Sequence, residues 1–77
     1  MAEHEQWVFV GGRVRDARLA AGMTVRDLAR RIGVSASHVS QVERGIGAFS
    51  VPALYAVARE MKVAMMRTAG LLVARTL

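Results

Sequence analysis

The stretch Val25-Arg26-Asp27-Leu28-Ala29-Arg30-Arg31-Ile32-Gly33-Val34-Ser35-Ala36-Ser37-His38-Val39-Ser40-Gln41-Val42-Glu43 decides the fold. Val25, Leu28, Ala29 and Ile32 stand at i, i+3, i+4 and i+7, one face of a helix. Thr24 precedes them as an N-cap, with Asp27 three residues on in the manner of a capping box. Gly33 breaks the helix, because it alone among common residues enters a left-handed turn freely. Ser35 caps a further helix whose stripe is Val39, Val42, Glu43 and Ile46. Two short helices thus share a three-residue connection containing glycine, which is the helix-turn-helix arrangement. Ala29 is small enough to let them cross closely.

Outward from this centre the pattern stays helical. Upstream, Val14, Ala17, Arg18 and Ala21 form the stripe of a first helix stopped by Gly22, and residues 1–9 read as a loose tail in which Trp7 and Phe9 can fold back onto the domain. The pair Gly11-Gly12 reads as the start of that first helix. Downstream, Gly45-Ile46-Gly47-Ala48 is a loop in which Ile46 is the apolar anchor. Ser50 caps a fourth helix with Pro52 in its first turn and the stripe Val51, Leu54, Tyr55, Ala58 and Met61. Met65, Met66, Ala69, Leu72 and Val73 suit a fifth helix, while 71–77 also suits a short strand or a loose end. The fold class expected is all-α with five helices.

Composition narrows the function. A chain of 77 residues is one small domain, burying about 60–65% of its unfolded surface. It contains no cysteine, and its two histidines, His4 and His38, lie far apart, so neither a disulfide nor a metal site is expected. A net charge of +5, carried by ten arginines and one lysine, favours a polyanionic partner. No apolar run reaches the roughly 20 residues that cross a bilayer, and the polar, acidic start does not resemble a signal peptide. These features set the expectation of a cytoplasmic protein with no membrane partner.

The third helix carries the functional expectation. Val39 and Val42 turn one face inward, so Ala36, Ser37, Ser40, Gln41 and Arg44 lie on the other. Those side chains are short or hydrogen-bonding rather than a charged solubilising face. A B-DNA major groove admits such a helix, and Gln41 can bond bidentately to adenine while Ala36 packs on a thymine methyl. Ser35, at the start of the helix, suits a phosphate, as do Arg26, His38 and Arg44. His38 also reads as a plain exposed residue. Arg18 and Glu43 are charges on apolar stripes, and burying either alone is costly, so they are expected to pair.

These residues together resemble the phage-repressor/Cro-like (XRE-type) helix-turn-helix family. The resemblance rests on Val10-Gly11-Gly12-Arg13-Val14-Arg15, Gly22-Met23-Thr24-Val25-Arg26-Asp27-Leu28-Ala29, Ile32-Gly33-Val34-Ser35 and Val39-Ser40-Gln41-Val42-Glu43-Arg44-Gly45, and extends in order over about residues 10–66. It implies a five-helix lambda-repressor-like fold whose third helix enters the major groove, usually from a two-fold dimer. It also implies base-facing positions at Ala36, Ser37 and Gln41 and phosphate-facing positions at Ser35 and Arg44. Val25 stands where many relatives have a phosphate-binding glutamine, Lys62 and Ala64 replace the usual glycine and capping serine between helices four and five, and Phe49 replaces a common proline.

The expected organisation is a tail over 1–9, a DNA-binding domain over 10–66 and an apolar segment over 67–77. Met65, Met66, Ala69, Leu72 and Val73 are the candidate homodimer interface, since so apolar a tail is poorly solvated alone. Catalysis is not expected: Ser37, His38 and Ser40 are too close along a helix to face one another, and no acidic pair or phosphate loop occurs. No cofactor is implied. The leading reading is a bacterial transcriptional regulator, a repressor, on an inverted-repeat operator in double-stranded DNA. The alternatives are a protein-interaction module and a nonspecific nucleic-acid binder.

Overall fold

A computed structural model describes residues 3–76, with the backbone alone described at 3, 4, 64, 65, 67–69 and 71–76. It contains four helices and no strand among the described residues: α1 (Glu3–Ala20), α2 (Val25–Ile32), α3 (Ala36–Glu43) and α4 (Val51–Thr76). Leu28 of α2 and Val39 and Val42 of α3 are completely buried, with Val14, Ile32 and Val57 around them. The core therefore lies where the four helices meet over the short α2–α3 pair.

The local signals close the helices as expected at the centre. Thr24 Oγ1 accepts from the Asp27 amide at 3.0 Å, and Asp27 Oδ2 accepts from the Thr24 amide at 3.0 Å. Hydrogen bonding from the Thr24 backbone amide, and then from its side chain, holds the Asp27 carboxyl below its ordinary pKa. Gly33 takes φ 75° and ψ 32°, and the next amide, Val34, donates back to Ala29 O at 3.0 Å. This left-handed turn at Gly33, followed at once by the Ser35 cap, lets an eight-residue helix end and another begin so soon.

Four expectations change at the edges. The loose tail is absent from the described residues, since α1 begins at Glu3 and runs through Gly11 and Gly12. Trp7 and Val10 pack against the core, and Gly11 lets α1 approach α3 closely. A Cβ on Gly11 would stand 1.9 Å from the Val42 carbonyl oxygen. Tertiary packing thus outweighs the cost of about 1 kcal/mol that each helical glycine carries.

The fourth and fifth helices are one continuous helix of 26 residues. The junction residues Lys62 and Ala64 supply neither a glycine stop nor a cap, so nothing ends the first helix there. The face of α4 also differs from the stripe expected. Leu54 and Met61 of that stripe pack against the core, but Val51 and Tyr55 are 65% and 74% exposed, and Ala53, Ala56 and Val57 are buried in their place, the small alanines admitting α4 against its neighbours. Ile46 is exposed, and Phe49 is the residue that anchors the α3–α4 loop in the core.

The two neighbouring glycines make opposite demands. Gly11→Ala should destabilise the protein by about 1–3 kcal/mol, the range for overpacking. Gly12, whose Cβ would meet nothing within 4 Å, should gain roughly 0.5–1 kcal/mol as alanine. Urea denaturation of both variants checks this; equal effects at the two positions would refute the close approach of α1 to α3.

Candidate nucleic-acid interface

The α2–α3 unit presents one helix outward. Ser35 starts α3, its Oγ accepting from the His38 amide at 3.0 Å. A hydroxyl so used keeps its own hydrogen to donate outward. With Val39 and Val42 fully buried, Ser37 and Gln41 emerge exposed on the opposite side, with Ser40 half-buried beside them. Arg44 is exposed just past the helix, and Arg26 is exposed in the first turn of α2. Ala36 is half-buried and packs partly against the core, so less of it faces outward than its position in the helix suggests.

His38 is placed differently from the other expected phosphate ligands. Its Nε2 lies 2.8 Å from the Ala48 carbonyl oxygen, which can only accept, so Nε2–H donates. Its ring meets Phe49 edge-on, with centroids 5.2 Å apart. The imidazole thus fastens the α3–α4 loop to α3. The Ile46 amide adds a second tie by donating to Gln41 O at 3.0 Å.

Arg18 and Glu43 meet beneath this surface. Arg18 Nε donates to Glu43 Oε2 at 2.6 Å and Nη2 to Oε1 at 2.9 Å, a two-pronged pair. Nη1 donates to the Met23 carbonyl at 2.9 Å, which uses the remaining side of the guanidinium. The side chains are only 10% and 6% exposed, so the charges are largely withdrawn from water. Hydrogen bonding to Glu43 raises the Arg18 pKa further, against the effect of desolvation. Arg18 and Glu43 therefore lie inside the scaffold rather than on the exposed face.

Other arginines are partly committed. Arg31 reaches Glu60 of α4 at 3.5 Å and Arg30 reaches Asp27 at 3.1 Å, both near the surface. Of the candidate dimer residues, Met66 is 63% exposed. The side chains of Met65, Ala69, Leu72 and Val73 lie outside the described residues. No cluster of potential metal ligands and no helix long and apolar enough to cross a membrane occurs among the described residues.

Sequence reasoning missed three contacts that shape the site: the Gly11 approach, the His38–Ala48 tie and the Arg31–Glu60 link. The first had a signal. Trp7, Gly11, Val14 and Arg18 follow one another at four-, three- and four-residue steps, a helical stripe that passes straight through the glycines. The other two join side chains far apart in the chain and leave no periodic trace.

The arrangement is that of an all-helical helix-turn-helix domain with a polar, outward third helix. A helix-turn-helix family profile matches residues 14–65, more than half of the chain, and the chain belongs to that family, in its XRE-type form. It is 40% identical over 60 residues to a Rhodospirillum rubrum protein described as an uncharacterized transcriptional regulator in the ATPase CF(0) region. The match spans 78% of this chain and 56% of that relative. No solved structure matches the chain significantly.

Removing one partner of a buried ion pair leaves the other charge desolvated, at a cost of about 3–5 kcal/mol. Glu43→Ala should lower the unfolding free energy by that amount, and Arg18→Met combined with Glu43→Leu by much less. Chemical denaturation reads both; a Glu43→Ala protein as stable as the wild type would show that the pair is dispensable.

Proposed function

We propose that this protein is a DNA-binding transcriptional regulator, a repressor, that reads an inverted-repeat operator through the major groove. The observation that supports this best is the two-sidedness of α3. Its buried side is fixed by Val39 and Val42, and its open side holds Ser37 and Gln41, side chains suited to base edges rather than to mere solubility. In this reading Gln41 bonds an adenine bidentately, Ser37 and Ser40 contact neighbouring base edges, and Ala36 touches a thymine methyl. Ser35, Arg26 and Arg44 hold phosphates, which set the register without reading sequence. His38 contributes by bracing the loop rather than by binding phosphate.

The DNA-binding domain spans 10–66, now with the preceding turns of α1 added, and the segment 67–77 joins two copies. Met66 and the positions Met65, Ala69, Leu72 and Val73 form the contact between them. A two-fold dimer places its two third helices one turn of DNA apart, roughly 34 Å. The cytoplasm is the compartment such a regulator works in, and no catalytic step is assigned to it.

Val25, in place of a phosphate-binding glutamine, favours a second reading in which the same fold binds a partner protein. Salt separates the two. Binding to DNA weakens by about 0.9 log units per phosphate contact for each decade of salt, and binding to a protein partner does not follow that slope.

Selection of bound fragments from a random duplex pool should return a palindrome with half-sites about one helical turn apart. Gln41→Ala should relax the preference at one base pair per half-site by roughly 1–3 kcal/mol. A pool without an enriched motif contradicts the regulator reading.

A further inference from the structure

Gly47 lies in the α3–α4 loop, half-buried, and its φ is outside the left-handed region that Gly22, Gly33 and Gly45 occupy. Backbone conformation therefore does not explain a glycine there. Space does. A Cβ on Gly47 would stand 3.2 Å from Gln41 Cβ and 3.5 Å from both Gln41 C and Val42 N. At 3.2 Å one of the two partners must yield by a few tenths of an ångström.

The loop is poorly placed to yield. On one side of Gly47 the Ile46 amide is tied to Gln41 O at 3.0 Å. On the other side the Ala48 carbonyl is tied to His38 at 2.8 Å, and Phe49 is sunk in the core. The displacement falls instead on Gln41 Cβ, which is fixed to the α3 backbone, so what shifts is the Cα–Cβ direction from which the exposed carboxamide departs. A two-pronged contact to a base edge tolerates only about 0.5 Å and 10–20° of error.

We infer that Gly47 is a positioning residue for Gln41: by leaving the space behind Gln41 Cβ empty, it sets the direction in which the carboxamide meets a base. This rests on the reading that Gln41 faces DNA. Gly47 then governs sequence discrimination without touching the base itself. A glycine serving only general stability, or only the approach of the loop to the phosphates, would affect all DNA sequences alike.

Three variants test this: Gly47→Ala, Gln41→Ala and their combination, with Gly12→Ala as a control whose Cβ meets nothing. Each is titrated with the selected operator, with operators altered at the base pair that Gln41 reads, and with unrelated duplex. Gly47→Ala should reduce discrimination at that base pair by about fivefold or more, the low end of what a good bidentate contact supplies. It should leave affinity for unrelated duplex within about twofold, since phosphate contacts supply that affinity. In the Gln41→Ala background it should change discrimination no further, and Gly12→Ala should match the wild type.

Full discrimination in a folded Gly47→Ala protein overturns the inference, as does an equal loss on every duplex. Failure of the underlying reading looks different: Gln41→Ala alone would then leave every base preference intact. Should Gly47→Ala not fold, the contact is read in the wild type by proton NMR. A cross-peak between Gly47 Hα and Gln41 Hβ is expected, and its absence overturns the inference.

Discussion

The bidentate pair of Arg18 and Glu43 is the interaction on which the placement of the third helix depends. Arg18 sits in the last turn of α1, Glu43 is the last residue of α3, and the same guanidinium holds the Met23 carbonyl in the turn before α2. One side chain therefore joins three segments that are separated in sequence. An eight-residue helix is not stable by itself in water, so the direction of α3 has to come from its neighbours. A desolvated ion pair contributes little net stability against an apolar substitute, yet it penalises every arrangement that separates its partners. The apolar burial of Val39 and Val42 supplies the driving force for docking α3, and the pair adds a geometric constraint at its C-terminal end.

Around that pair, the close packing of Gly11 against the Val42 carbonyl removes the slack between α1 and α3. The His38 and Ile46 hydrogen bonds do the same for the loop that follows. The outward face of α3 is consequently carried by a rigid base, although Ser37 and Gln41 on it are exposed. Rigidity beneath and polarity above are the combination a recognition surface requires, because hydrogen bonds to base edges discriminate only when their donors and acceptors arrive in a fixed geometry.

The centre of the fold was legible in the sequence because its signals are local. Thr24 and Asp27, Gly33 and Ser35 each act within a few residues, and the structure shows their hydrogen bonds where the spacing puts them. The ends were less legible. Gly11 reads as the start of a helix when its propensity is considered alone, and only the approach of α3 reveals why a glycine is tolerated inside α1. Of the expected α4 stripe, Leu54 and Met61 pack on the core, whereas packing density selected Ala53 and Ala56 over Val51 and Tyr55. Within the site, the exposure of Ser37 and Gln41 followed from the burial of Val39 and Val42. The inward turn of the His38 ring did not, since it depends on a carbonyl ten residues away.

The most direct measurement is the amide NMR spectrum of the protein titrated with its selected operator duplex, compared with a scrambled duplex of equal length. The largest operator-specific shifts should fall at Ser35, Ser37, Ser40 and Gln41, with Arg26 and Arg44 shifting on both duplexes. Shifts centred instead on the outer surface of α1 or on α4, with α3 unchanged, would contradict the assignment of α3 as the helix that reads DNA.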